Sequence, residues 1–216
     1  MRIRQYSWNI VDSNSWLITK DSHGLLIDAV ENEGLFEEIK KLSDLTIILT
    51  HSHFDHIIGL NRIRELRPDA TVVSTSKCSE YLGNIHRNMS SSATAYLKFY
   101  EGGRKDNIEI EPFSCKASDV TFENQLEYEW FGHNLSLKSI HGHSNDSLVA
   151  ILDDRFLFSG DTLLNVPTIT RFPSGSKKLF RDEDIPFLSS IYGIETVYPG
   201  HGRKGLLEDM LRVNES

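Results

Sequence analysis

The chain has 216 residues, 39% of them hydrophobic and 25% charged, with 14 Gly and 6 Pro. That length supports one sizeable core, expected as one domain over 1–216, and the mix excludes a low-complexity, collagen-like or disordered polypeptide. Thirty-one acids against 23 bases leave a net charge of −8, which offers no broad footprint for nucleic acid or an anionic membrane.

The N-terminus carries Arg2 and Arg4 with no apolar run behind them, so it reads as the start of a strand and not as a signal peptide. Strands are predicted over 2–8, 15–19 and 24–28, parted by Asp12-Ser13-Asn14 and by a turn ending in Gly24. A helix is predicted over 33–41, with acids first and lysines last as its dipole favours. Thr46-Ile47-Ile48-Leu49 is a β-branched run suited to a strand buried on both faces. It lies in the longest apolar stretch, far short of the ~18 residues that span a bilayer.

A helix over 57–66 and a strand over 71–74 follow. The polar stretch 84–107, with Ser90-Ser91-Ser92 and Gly102-Gly103, reads as a long surface excursion. One hairpin is predicted over 126–140 around Gly132, and a second pairs 147–152 with 155–159 around Asp153-Asp154. A short strand over 196–198 and a helix over 206–213 close the chain. Cys78 and Cys115 form no CxxC pair and suit reduced thiols in a cytoplasmic protein. Strands and helices in both halves predict an α/β fold with two sheets and helices outside.

Nine His are unusual for this length, and their placement matters more than their number. The buried strand runs into Thr50-His51-Ser52-His53-Phe54-Asp55-His56. Three imidazoles and a carboxylate at that spacing are costly as mere packing, and they are the donors that Zn²⁺, iron or manganese take. His143, Asp161 and His201 then stand at the ends of three later strands, each beside a Gly. Loops at strand ends are where α/β proteins build sites.

In this order, His51-x-His53-x-Asp55-His56, Gly142-His143-Ser144, Gly160-Asp161 and Gly200-His201 resemble the metallo-β-lactamase-fold hydrolases over nearly the whole chain. Within them the sequence is most similar to compact glyoxalase II-like (hydroxyacylglutathione hydrolase) members. The resemblance implies a four-layer αββα sandwich and two divalent ions, zinc first, with iron or manganese as alternatives. It implies that His51, His53 and His143 hold one ion, that Asp55, His56 and His201 hold the other, and that Asp161 bridges. The third-His motif departs from the family: it reads His-Gly-His-Ser-Asn-Asp-Ser, where the family usually has Pro-Gly-His-Thr-Pro-Gly.

Two ions about 3.5–4 Å apart can lower the pKa of a shared water from ~15.7 towards ~7, so a bridging hydroxide attacks without a Ser, Cys or Lys nucleophile. Asp55 and Asp161 are the catalytic carboxylates of this scheme and leave a cationic site for a developing oxyanion. A thiolate leaving group, with a pKa of ~8.5, needs no strong acid. The expectation is therefore a hydrolase of a small thioester or ester. A lactonase, a phosphodiesterase, a mononuclear-iron persulfide dioxygenase or a metal-bearing regulatory protein are the rivals. Arg171 and Lys177, in the segment after Asp161, are predicted to contact an anionic small-molecule substrate, with His141 as a further candidate contact.

Overall fold

The computed structural model describes residues 1–100 and 108–215. The first sheet takes β1 (Arg2–Trp8), β2 (Ser13–Lys20), β3 (His23–Ile27), β4 (Asp44–Ile48), β5 (Thr71–Thr75) and β6 (Val120–Phe122), neighbours in that order. β1, β2 and β3 form an antiparallel meander, and β3 to β6 run parallel. The second sheet takes β7 (Gln125–Trp130), β8 (His133–Ser139), β9 (Leu148–Leu152), β10 (Phe156–Gly160) and β11 (Thr196–Pro199). Here β7 to β10 pair antiparallel, and β11 joins the edge parallel to β10.

Period-two burial builds four layers from this. On β2, Trp16 and Ile18 point into a core shared with Leu148, Ala150, Leu152 and Phe158 of the second sheet. Leu17, between them, joins Leu26, Ile47 and Val72 on the outer face. That outer face is covered by α1 (Glu33–Ile39), α3 (Leu60–Leu66) and α4 (Ser76–Leu82). On the far side, Val149, Ile151, Leu157 and Val197 pack against Leu188 of α7 (Ile185–Ser189) and Met210 and Leu211 of α8 (Leu207–Asn214). The expected αββα sandwich is the observed one. No helix of the described residues is long and apolar enough to cross a membrane.

Where structure and prediction part, local contacts explain it. The helix expected over 57–66 is two pieces, α2 (Phe54–Ile57) and α3. Between them the Gly59 N–H donates to Ala29 O at 2.8 Å, and a Cβ on Gly59 would come within 2.4 Å of Val30 O. The excursion over 84–107 contains a 3₁₀ turn (Ser90–Ser92) and α5 (Ala93–Tyr100), while its residues 101–107 lie outside the described residues. α4 and the three-residue β6 (Val-Thr-Phe) were not expected. A second helical run, α6 (Lys177–Leu179), a π turn (Phe180–Asp184) and α7, was also not expected.

Candidate metal centre

The chain reverses into the site at the carboxyl ends of paired strands. β3 and β4 lie parallel, so Asp28, just past β3, sits beside the exit of β4 and its N–H donates to Ile48 O at 2.9 Å. β10 and β11 are also parallel, which brings Asp161 and His201 together, with the Gly200 N–H donating to Gly160 O at 2.7 Å. A side chain on Gly200 would collide with the Asp161 carboxylate and come within 2.8 Å of His56 Cε1. The Asn14 N–H ties the first sheet to the end of β11 by donating to Gly200 O at 2.7 Å, and Ser13 Oγ of β2 donates to Asp55 O of α2, after β4, at 2.9 Å.

All seven predicted ligand residues converge. Their donor atoms fall into groups whose members lie within 4.8 Å of one another: His51, His53 and His143, then His51, His56 and Asp161, then Asp55, His56 and His201. Asp161 reaches towards both ends, 3.3 Å from His56 Nε2, 3.3 Å from His201 Nε2 and 3.7 Å from His143 Nε2. His56 and His201 meet Nε2 to Nε2 at 3.3 Å, and His143 Nε2 lies 3.1 Å from His53 Nδ1.

For His51, His56, His143 and His201 the Nδ1 atom is spoken for, which turns Nε2 towards the cluster, whereas His53 meets His143 through Nδ1 and its buried Nε2 has no hydrogen-bond partner. His56 Nδ1–H donates to Asp28 at 2.9 Å, His143 Nδ1–H to Ile169 O at 2.8 Å and His201 Nδ1–H to Val11 O at 3.0 Å. His51 Nδ1–H donates to Thr50 Oγ1 at 3.0 Å, which itself donates to Asp28 at 2.8 Å. Four Nε2 lone pairs therefore face one small volume, and buried His51 Nε2 has no hydrogen-bond partner. Lone pairs aimed at one another fit a divalent cation between them, and nitrogen with carboxylate is the donor set for zinc, iron or manganese.

Electrostatics divide the cluster in two. Burial, then the neighbouring imidazoles, hold His51 well below its usual range. Burial also pushes His53 and His143 down to about 4, against the pull of Asp55 and Asp161 on the former and of Asp161 on the latter. At the other end burial opposes protonation but loses. Asp161 and Asp55 hold His56 well above its range and bring His201 up to about 10. The same pairing outweighs burial at Asp161 and holds that carboxyl well below its range.

Above the cluster opens a cavity of about 520 Å³, bounded by His53, Asp55, His143, Asp161 and His201 below and mainly apolar side chains above. The predicted substrate contacts are not on its wall. Arg171 and Lys177 are exposed, and it is Phe172 that turns inwards, 5.0 Å from the His53 ring and 5.5 Å from His143. Phe172 opens a turn in which the Gly175 N–H donates back to Phe172 O at 2.9 Å, and Arg171 before it stays exposed. His141 lines a different, smaller cavity with Lys77 and Glu123.

A family profile described as the metallo-beta-lactamase superfamily matches residues 8–201. The chain belongs to the metallo-beta-lactamase superfamily. Among the superfamily's curated members, a "Probable metallo-hydrolase" of Streptococcus pyogenes serotype M6 is 25% identical over 209 residues, 94% of this chain and 84% of that one. A hydroxyacylglutathione hydrolase of Glaesserella parasuis is 20% identical over 156 residues, 71% of this chain, and the match spans 51% of that relative. In fold, the BLEG-1 B3 metallo-beta-lactamase superposes with a TM-score of 0.80 at 22% identity, covering 98% of this chain and 97% of that one.

Two supporting carboxylates escaped the sequence reading. Asp28 accepts from the Thr50 N–H at 2.7 Å, from the Thr50 hydroxyl and from His56, in the left-handed region at φ 59°. Asp146 accepts from the Ser52 N–H at 2.9 Å and from the Ser144 hydroxyl, and its backbone carbonyl accepts from Thr75 Oγ1. Asp146, in the Ser-Asn-Asp segment, ties the His51–His56 loop to the His143 loop. Asp28→Asn tests the first brace, because Asn tolerates that backbone but carries no charge. Affinity for an ion held by His56 should fall about 10–100-fold while the circular dichroism spectrum is unchanged. Unaltered affinity would reduce Asp28 to a packing role.

Proposed function

We propose that the chain is a hydrolase that holds two divalent ions, zinc first, and cleaves a small thioester or ester. The observation that carries this reading is Asp161 standing between a three-imidazole group and the Asp55–His56–His201 group. When bound, the two ions supply Lewis acidity for the substrate carbonyl and acidify a water for attack near neutral pH.

The chain's own residues do the rest. Asp28 and Thr50 bond to the Nδ1 atoms of His56 and His51, so both rings turn Nε2 towards the cluster; His51 does so uncharged, whereas His56, held charged by Asp161 and Asp55, gives up a proton when an ion binds. Asp55 and Asp161 temper the charge of the site while leaving it cationic towards an oxyanion. Phe172 and Tyr96, rings 6.1 Å apart, shield the His53–His143 side from bulk water. In the overall reaction the water oxygen bonds to the acyl carbon, the carbon–sulfur bond breaks and the thiol departs with a proton. Cys78 and Cys115 are not candidates for the attack. Burial pushes Cys78 well above the usual thiol range and Cys115 up to about 12, and neither lines the cavity. Two buried free thiols also suit a reducing, cytoplasmic setting.

A substrate panel with elemental analysis tests the proposal. Protein carrying two ions should turn over thioesters and activated esters more efficiently than phosphodiesters or lactones. Hydrolysis confined to phosphodiesters or lactones would replace the substrate class. A single iron with oxygen consumption on a persulfide would replace the reaction.

A further inference from the structure

The cavity above the cluster has a chemical bias of its own. Its wall runs through Phe54, Met89, Tyr96, Leu164, Val166 and Phe172. Among the described residues that line it there is no Lys or Arg, and the acid outside the ligand cluster is Asp12, at the mouth. The wall is held from behind. Trp8 meets Phe54 edge-on at 6.3 Å, Phe54 meets Tyr96 at 6.2 Å, and Met89 and Tyr96 pack on the satellite core of Trp8, Val30, Phe54 and Ala93. A row of rings thus leads outward from His53 and His143. Val166, 58% exposed, forms the lip. On the His201 side a neighbouring groove, which shares Asp12, Val166 and His201 with the cavity, contains Arg203, and Arg203 is not on the cavity wall beside the rings.

We infer that this cavity accepts the acyl part of the substrate, and that this part is an uncharged, apolar chain or ring; the inference rests on the hydrolase reading above. A volume of about 520 Å³ falls within the ~300–1,000 Å³ typical of small-molecule pockets. With the carbonyl at the cluster, the acyl chain lies along Phe172, Tyr96 and Phe54 and loses its contact with water. A carboxylate at the far end of that chain would be desolvated against aromatic and thioether groups with no cation to receive it, and Asp12 would repel it. The specificity is therefore against acyl groups with a remote negative charge as much as for apolar ones.

The test is a series of acetyl, butanoyl, hexanoyl and octanoyl thioesters of one thiol, with a glutaryl thioester as the charged member, on the two-ion protein. kcat/KM should rise about two- to four-fold per methylene until the cavity is filled. The glutaryl compound should run at least about ten-fold slower than an uncharged chain of its length. Val166→Lys, at the exposed lip, should recover about ten-fold for the glutaryl compound relative to the uncharged chain. Calorimetric binding of the N-methyl amides of the same acids gives a second readout that needs no turnover, and octanamide should bind more tightly than acetamide. A flat response to chain length, or a preference for glutaryl, overturns the inference and leaves the hydrolase reading standing. If no ester or thioester is cleaved, that reading falls. The amide series then decides the inference alone, and equal affinities would overturn it.

Discussion

If the proposed two-ion thioester hydrolase holds, Asp161→Asn should lower kcat/KM on thioesters by more than about 100-fold, beyond the ~10–100-fold cost of losing a carboxylate behind a ligand, and bound metal should fall from two ions towards one. The Asp161 carboxylate is the group that reaches His56, His201 and His143 at 3.3, 3.3 and 3.7 Å. An amide of the same shape keeps one acceptor oxygen but would lose the charge that offsets the two proposed cations, and its NH₂ would point at one of them. The backbone should not notice. Asn fills the same space, and Gly200 continues to leave room beside it. Elemental analysis and the far-ultraviolet spectrum separate a lost ion from a lost fold. Two retained ions with undiminished turnover would mean that Asp161 does not bridge.

Chelation should have an effect of comparable size on stability. An ion bound only by the native chain at about 1,000 times its Kd adds about 4 kcal/mol. In a chain of this size that is a shift in Tm of about 8–16 °C per ion. The two ends of the cluster should respond differently to pH. His53 and His143, brought down to about 4 by burial, have folded pKa values below the unfolded value. Their contribution to metal-free stability is present above ~6.5 and is lost as pH falls towards 4. His201, brought up to about 10 by Asp161 and Asp55 against burial, has the opposite sign. Its contribution is present below ~6.5 and is lost as pH rises towards 10.

The metal-free protein should therefore be most stable near pH ~6.5. An ion entering the three-imidazole group displaces no proton at neutral pH, whereas one entering the Asp55–His56–His201 group must. Its apparent Kd should fall about ten-fold per pH unit for each proton released. Calorimetric titrations in buffers of different ionisation heat measure this directly. Equal proton release at both sites would refute the division.

The converging cluster was legible because each member stands where a local signal changes. The run Thr46–Leu49 can only be a buried strand, so the His and Asp residues packed directly after it are conspicuous. Gly160, Gly200 and the alternation before them mark two more strand ends in the same way. Period-two burial and β-branched runs are properties of neighbours in the chain, and they sufficed for every described strand but β6 and for two sheets with helices outside, while the αββα layering came from the family resemblance. Short helices with a polar start, such as α4 with Ser-Lys-Cys-Ser-Glu, carry only a three-residue apolar face (Cys78, Tyr81, Leu82) and were missed.

What supports and what surrounds those side chains was decided in three dimensions. Asp28 serves Thr50 and His56 across 22 and 28 residues because β3 and β4 pair in parallel, and no periodicity in either strand encodes that pairing. The same holds for Asp146, whose bond to the Ser52 N–H spans 94 residues. Composition pointed to Arg171 as the group facing a substrate, since a cation near a metal-bound carbonyl is a sensible chemical guess. The fold turned Phe172 inwards instead. Sequence identifies the groups able to do chemistry because donor types and strand ends are local. The cavity's wall comes from Phe54, Met89, Tyr96, Leu164 and Phe172, set side by side only when the two sheets close, so its polarity belongs to the tertiary structure.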